Sequence, residues 1–380
     1  MKKIPEGNFK MIATTFKGLE KVLAKEVLEL GGQKPRTLIR AVEFYGDLGF
    51  LYKANLKLRT ALRVLRPIAH LRNIKSVASL YNKMYEIPWE KYFDARQSVA
   101  FHVSGMLDSI PHTKFVSQKT KDALVDRFRD KFGKRPDVKK DAQIHINLHL
   151  FRDQINVSLD SSGEPLFKRG YREETGMAPI NEVLAAGIIR LAGWNGDTHF
   201  IDPMTGSGTF PIEAALMASN IPPGIFREDF SFMHWKDFDE QLYQLIRESV
   251  LKKVKEPFEL IKIIGYDKDP AMIEIARQNA TRASVDELIT FETKDFFKTS
   301  KIPGPVTLVF NPPYDKRLSL QQKEKFYKRL AQHLEENYRW TDVWVISPEK
   351  IQRFFKIKPI AQYALYNGKI PVWLTGLRIE

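Results

Sequence analysis

The sequence predicts an α/β protein. Its larger part is a mostly parallel, doubly wound sheet with an antiparallel last strand, and smaller α+β units precede it. Three observations carry this expectation. Beyond residue 198, short apolar runs alternate with helical patterns, as in sheets buried on both faces. A glycine-rich turn, Gly206-Ser207-Gly208, falls between one such run and the next helix. The chain closes on an apolar run over 370–379 preceded by Asn367-Gly368, a hairpin signal.

Along the chain, residues 8–16 read as a strand and 17–30 as an amphipathic helix stopped by Gly31-Gly32. Residues 37–45 form a further strand, closed by Gly46-Asp47, and a helix covers 48–59. This is a small unit of ferredoxin-like pattern. A second unit has a helix over 76–84, a strand over 99–104 and a long basic amphipathic helix over 114–132. An antiparallel pair, 143–150 and 154–159, then turns around Arg152-Asp153. His145 and His149 share one face of that pair. No carboxylate or thiol is spaced to complete a metal site with them, so a solvated or RNA-facing sheet surface is expected. After a helix over 180–191 come strands at 199–203, 261–267, 289–294, 306–310 and 343–347. Helices over 210–219, 271–283 and 321–336 separate most of them, and 220–260 interrupts the pattern. The divisions expected are 1–60, 61–162 and 163–380.

With 380 residues, 43% apolar and 28% charged, the chain has the composition of a globular protein of two or three domains. It has no cysteine, which excludes disulfides and thiolate metal sites. No stretch reads as a membrane span and the first residues lack a signal peptide's apolar core, so a cytoplasmic location is expected. The net charge is +14 and uneven: residues 1–165 hold 30 Lys+Arg against 18 Asp+Glu, a net of +12, leaving +2 for the rest. The front half therefore favours a polyanionic partner.

The most informative residues are Asn311-Pro312-Pro313-Tyr314, at the carboxyl end of the strand over 306–310. They suit methylation of an exocyclic amine, whose lone pair is delocalised into its ring. The Asn311 side-chain oxygen and the Pro312 carbonyl accept the two N–H bonds and make the lone pair available. Pro313 stiffens the backbone and Tyr314 offers a stacking face. The donor side is read in Asp202-Pro203-Met204-Thr205-Gly206-Ser207-Gly208-Thr209, whose glycines permit close backbone approach to a ligand. Asp267 is placed to accept both hydroxyls of a ribose. Asp295 is placed to meet an adenine amino group with Phe296 beside the ring, whereas Asp269 caps a helix opened by Pro270.

These motifs resemble those of S-adenosylmethionine-dependent, THUMP-containing RNA guanine-N2 methyltransferases, above all those of large-subunit (23S) rRNA. The likeness extends to Thr15-Phe-Lys-Gly-Leu-Glu-Lys-Val-Leu, Lys119-Thr-Lys-Asp-Ala-Leu-Val-Asp, Phe167-Lys-Arg-Gly-Tyr-Arg and Ala178-Pro-Ile-Asn-Glu. It implies a Rossmann-like class I methyltransferase domain behind ferredoxin-like and THUMP domains. It implies S-adenosylmethionine as cofactor, with Gly206 to Thr209 on its methionine part, Asp267 on the ribose and Asp295 on the adenine. It implies RNA as partner. Thr205 stands where relatives often carry Cys. Some relatives continue into a second methyltransferase domain, so a single reaction is expected of this chain. Arg169, Tyr171 and Arg172 either touch RNA, cover the cofactor or dock a linker on the sheet; Lys316 and Arg317 either meet phosphate or form a solvated turn. Three other readings of the chain stay open: a tRNA guanine-N2 enzyme, an adenine-N6 or glutamine-amide methyltransferase, and a non-catalytic RNA-binding assembly factor.

Overall fold

The computed structural model describes residues 5–172, 180–256, 260–312, 320–355 and 357–380. Its front half is one sheet of seven strands in the order β2-β3-β1-β4-β7-β6-β5. The first unit contributes β1 (Phe9–Thr14), α1 (Glu20–Leu30), β2 (Gln33–Leu38), β3 (Ala41–Gly46) and α2 (Leu48–Lys57). Helix α1 buries Leu23 and Val27 and ends at Gly31, whose φ of 102° lets its amide bond back to the last turn. The second unit supplies α3 (Val77–Glu86), β5 (Val99–Leu107), α4 (Thr113–Phe132), β6 (Ile144–Arg152) and β7 (Gln154–Asp160). Ser76 and Ser79 form a capping box at the start of α3.

The single strand expected over 37–45 is a hairpin, β2 and β3, turning at Ile39-Arg40. Arg40 takes the left-handed conformation, φ 57°, that turn sequences normally give to Gly or Asn, so the turn carries no compositional mark. A whole strand, β4 (Arg63–Leu71), has no counterpart in the expectations. Pro67 and the polar Arg63, Arg66 and His70 mask its pattern. The structure accommodates the proline at an irregularity between Pro67 and Ala69 in the pairing with β7. β4 pairs with β1 on one side and β7 on the other, so it joins the two front units into one sheet.

His145 is not on a solvated surface. It is buried, stacked on His102 with ring centroids 5.4 Å apart, and its Nδ1 lies 3.1 Å from His102 Nε2. His149 is exposed beside Ser104.

The rear half contains α5 (Glu182–Leu191), β8 (His199–Asp202), α6 (Thr209–Ala218), α7 (Glu240–Leu251), β9 (Ile263–Asp267), α8 (Pro270–Arg282), β10 (Ile289–Thr293), β11 (Val306–Phe310), α9 (Leu320–Asn337), β12 (Thr341–Ser347), β13 (Ala361–Asn367) and β14 (Ile370–Ile379). Its sheet order is β10-β9-β8-β11-β12-β14-β13, with only β14 opposed to the other strands. The expected doubly wound sheet with an antiparallel last strand is therefore found. No helix among the described residues is long and apolar enough to cross a membrane.

The interruption at 220–260 has a definite task. Its Phe230, Phe232, Trp235 and Tyr243 belong to the hydrophobic core of the front half. Tyr52 of α2 packs against Phe232 (4.7 Å between centroids) and edge-on to Tyr243 (5.8 Å). Its hydroxyl accepts the Asp239 amide at 2.9 Å, and burial pushes that hydroxyl up to about 12. Arg227 donates to the carbonyls of Ser162, Glu164 and Pro165. The segment thus braces the rear half against the front. Phe232→Ala is expected to destabilise the protein by about 3–5 kcal/mol in urea unfolding. A loss below about 1 kcal/mol would show that the brace carries little of the packing.

Candidate active site

In the rear sheet the strand order reverses at β8, which has β9 on one side and β11 on the other. Ligands of doubly wound sheets bind outside the carboxyl ends of the strands at such a reversal. Four sequence-predicted positions lie along this edge in sheet order. Asp295 follows β10, Asp267 ends β9, Asp202 ends β8 and Asn311 follows β11. The register pairs Thr293 with Asp267 and Asp202 with Gly265, so β9 and β10 end level and β8 ends two residues before them.

The loop from Asp202 to α6 is held from several sides. Met204 N–H donates to Asp202 Oδ1 (3.2 Å), Thr205 N–H to the Tyr266 carbonyl (2.8 Å), and Gly206 N–H to Asp267 Oδ2 (2.9 Å). Asn279 of α8, fully buried, donates to the Ser207 carbonyl at 3.0 Å. Nothing in the sequence singled out Asn279 beforehand; its signal is one amide amid the apolar Ile273, Ala276 and Ala280 of the buried α8 face. Gly208 has φ 83° and a Cβ there would meet Ala276 at 3.0 Å and Phe291 at 3.1 Å, so helix packing excludes a side chain. Gly206 is different. Its φ is 51°, and a Cβ would find only the tip of Met272 at 3.8 Å, leaving ground open for a ligand.

Within the loop only Met204 and Gly206 are partly exposed; Asp202, Pro203, Thr205, Ser207, Gly208 and Thr209 are buried. The loop therefore presents backbone rather than side chains. The amides of Ser207, Thr209 and Phe210 have no acceptor among the described residues, and they open α6, where a ligand carboxylate is favoured. Burial drives the Asp202 carboxyl well above the usual carboxylate range, and the nearby Asp267 adds to this against the Met204 amide.

Asp267 is half-exposed, and each of its oxygens already takes one backbone N–H, from Gly206 and from Asp269 (3.0 Å). Each oxygen keeps capacity for one further donor, which is what a pair of ribose hydroxyls needs. Asp269 caps α8 through the Ala271 amide, as expected. Asp295 is half-exposed and accepts the Phe297 amide at 3.1 Å. The Phe296 ring departs from its expected place beside an adenine. It is buried among Phe310, His333 and Tyr338, because the core behind β11 needs an aromatic there. Asn311 Oδ1 is buried and has no hydrogen-bond partner among the described residues. Pro312 is buried beside it; Pro313, Tyr314, Lys316 and Arg317 lie outside the described residues.

Behind the loop lies a buried ionic junction. Arg169 Nε is 2.7 Å from Glu213 Oε1 of α6, and both side chains are sealed from solvent. Tyr171 donates to the same carboxylate oxygen at 3.1 Å. Arg169 also donates to the Arg59 carbonyl, and Arg59 to the Leu216 and Ile221 carbonyls. Arg172 reaches Thr209 Oγ1 and pairs with Glu182 at 3.2 Å. Of the readings open for Phe167-Lys-Arg-Gly-Tyr-Arg, the docked linker is the one found for Arg169 and Tyr171, since neither reaches the surface.

The fold and the order of site elements define a doubly wound α/β methyltransferase. The chain belongs to the family described as RMKL-like, methyltransferase domain, matched over residues 169–375. Its front half matches the RlmL ferredoxin-like domain over 10–65 and the THUMP domain over 75–160. It is 38% identical over 374 residues to the ribosomal RNA large subunit methyltransferase K/L of Psychromonas ingrahamii, covering 96% of this chain and 50% of that protein. The chain thus spans about half the length of that relative. A Synechocystis protein assigned as an RNA methyltransferase is 32% identical, with 95% of this chain and 94% of that one covered. Among solved structures, SMU.472, assigned as a methyltransferase and complexed with SAH, superposes with a TM-score of 0.87 at 28% identity over 99% of each chain.

Arg169→Ala strands the Glu213 charge in the interior. It is expected to cost about 3–5 kcal/mol of stability in urea unfolding, while RNA affinity of the remaining folded protein stays within about twofold. A variant of unchanged stability that had lost RNA affinity would instead place Arg169 at an RNA surface.

Proposed function

We propose that this chain methylates guanine N2 in RNA, large-subunit (23S) rRNA first among candidates, with S-adenosylmethionine as donor. The observation that carries the reading is the buried Asn311 oxygen, without a partner among the described residues, at the strand beside the glycine loop. A buried acceptor without a donor is costly, and an incoming amine N–H removes that cost. The residues fit the donor: open ground at Gly206, unclaimed amides at the start of α6, and spare acceptor capacity on Asp267 and Asp295. Bound there, S-adenosylmethionine supplies an electrophilic methyl group. Asn311 and the Pro312 carbonyl hold the amine so that its lone pair faces that methyl group, and Tyr314 is assigned to stack the base. On transfer the nitrogen would gain the methyl carbon as that carbon's bond to the sulfonium sulfur broke, leaving a neutral thioether, and would release one proton to water; the proton becomes acidic only on methylation, so no base is assigned. Most of the acceleration then comes from positioning. The guanine must be turned out of its stack to reach this edge. The substrate carries with it a cytoplasmic place of action.

Four of the six basic residues of α4 are ion-paired, Lys114 and Lys121 being the two with no ion pair among the described residues. Arg127 pairs with Glu90 at 2.7 Å, Lys131 with the same carboxylate at 2.5 Å, Lys119 with Asp122 and Arg129 with Asp126. Lys134, Arg135, Lys139 and Lys140, in the loop after α4, are exposed with no ion-pair partner among the described residues. We assign the RNA grip to this loop and its surroundings.

The chemistry is tested by incubating the protein with labelled S-adenosylmethionine and, separately, free rRNA, large-subunit particles and unmodified tRNA, then identifying the methylated nucleoside. N2-methylguanosine in rRNA is expected; 6-methyladenosine, or label only in protein, would overturn the reading. Asn311→Ala should lower the rate by at least about 100-fold with S-adenosylmethionine affinity retained, a loss of ~2.7 kcal/mol of transition-state stabilisation. Replacing Lys134, Arg135, Lys139 and Lys140 with Ala should reduce the slope of log affinity for RNA against log salt by roughly 0.7–0.9 for each phosphate that is no longer neutralised; an unchanged slope would remove the loop from the interface.

A further inference from the structure

A cavity of about 360 Å³ opens where α1 and α2 of the front half meet α5 and α7 of the rear half. Five cations, Lys53, Lys57, Arg59, Arg190 and Lys253, and two carboxylates, Glu26 and Glu29, make up its charged lining, joined by the amide of Asn220. Both carboxylates at this cavity are already engaged. Glu26 accepts the amides of Arg59 (2.8 Å) and Thr60 (3.0 Å) and the Thr60 hydroxyl (2.6 Å). Glu29, also on the lining, accepts from Arg190 at 2.9 Å. The lysines have no carboxylate within ion-pair distance among the described residues. Lys53 donates to the Leu30 carbonyl at 2.6 Å and Lys57 to Asn220 Oδ1 at 2.9 Å, both neutral acceptors. Lys253 stands exposed at the mouth. Lys57 is only 8% exposed.

A second observation is independent of the lysines. Arg59, 4% exposed, keeps one terminal guanidinium nitrogen, Nη1, buried with no hydrogen-bond partner among the described residues, and Arg190 Nε is in the same condition. Buried donors of this kind are rare unless a ligand or water completes them. Arg190 pairs with Glu29 at 2.9 Å and with Glu26 at 3.6 Å, which leaves five cations against two carboxylates; such an excess around a cavity favours an anion with several acceptor oxygens.

We propose that this junction cavity binds a phosphate group, held by Lys57 and Arg59 within and by Lys53 and Lys253 at the mouth. The proposal is independent of the methyl-transfer reading. Burial, then Arg59, Lys253 and Lys53, lower the Lys57 ammonium to about 8, with Glu26 opposing. Lys57 is therefore charged below that pH and loses its charge as pH rises through it, and a bound dianion would raise it again.

The test uses the full chain with inorganic phosphate in titration calorimetry at pH 7, and in parallel RNA affinity in phosphate-free buffer. Both are run on wild type, Lys57→Met and Lys253→Ala. One phosphate site is expected, weakened at least tenfold in Lys57→Met and severalfold in Lys253→Ala. With sulfate, whose own charge is constant, wild-type binding should fade as pH rises through 8. Absence of free-phosphate binding together with an RNA affinity lowered at least fivefold in both variants would support the site with the RNA backbone as its source. If Lys57→Met fails to fold, Lys253→Ala decides alone. Phosphate binding untouched by the substitutions, or neither phosphate binding nor any change in RNA affinity, would overturn the proposal.

Discussion

The ion pair between Arg169 and Glu213 is the interaction on which the arrangement of this molecule turns. Glu213 lies in the helix that the glycine loop leads into, and Arg169 lies in the segment leaving the front half. Two ions removed from water need each other and several hydrogen bonds besides. Here those come from Tyr171 and, through Arg169, from the Arg59 carbonyl. The requirement is geometric, so it fixes the depth and rotation of α6 relative to the front sheet. The loop at the head of that helix is then aimed by the same interactions that hold the two halves together.

Around this junction the chain divides its labour by burial. The strand ends that meet the crevice leave Met204, Gly206, Asp267, Asp295 and Asn311 partly exposed, and the other described site positions are buried. Backbone amides of the loop and a few acceptors make up the working surface. That pattern suits a cofactor recognised by shape and hydrogen bonds, and it explains why Asn279, which touches only a loop carbonyl, has a place in the site at all.

Much of the rear half was legible because its signals are local. Apolar runs, a glycine turn and acids at strand ends each mark their own position, and β11 begins and ends where its run of apolar residues does. What escaped was set by distant partners. Strand β4 is a strand because β1 and β7 flank it, not because Arg63–Leu71 alternates cleanly. Phe296 is aromatic and adjacent to an acid, which suggested a ring beside a base; the core behind β11 claims it instead. His145 looked like a surface residue by alternation, and the stacked His102 ring hides it. The aromatic residues of 220–260 could not announce that they fill a core formed some 180 residues earlier in the chain, as the 187-residue separation of Tyr52 and Asp239 illustrates.

The shared strand β4 has a consequence for how such proteins can be taken apart. The ferredoxin-like match ends at residue 65 and the THUMP match begins at 75, with most of β4 left between them. A recombinant THUMP fragment cut at that border would leave the β7 edge without its neighbour, a row of unpaired amides and carbonyls ready to recruit strands from other molecules. The two modules are separable as text but not as sheet. Any transplantation of the THUMP part onto another enzyme has to carry β4 with it and give β1 a new companion.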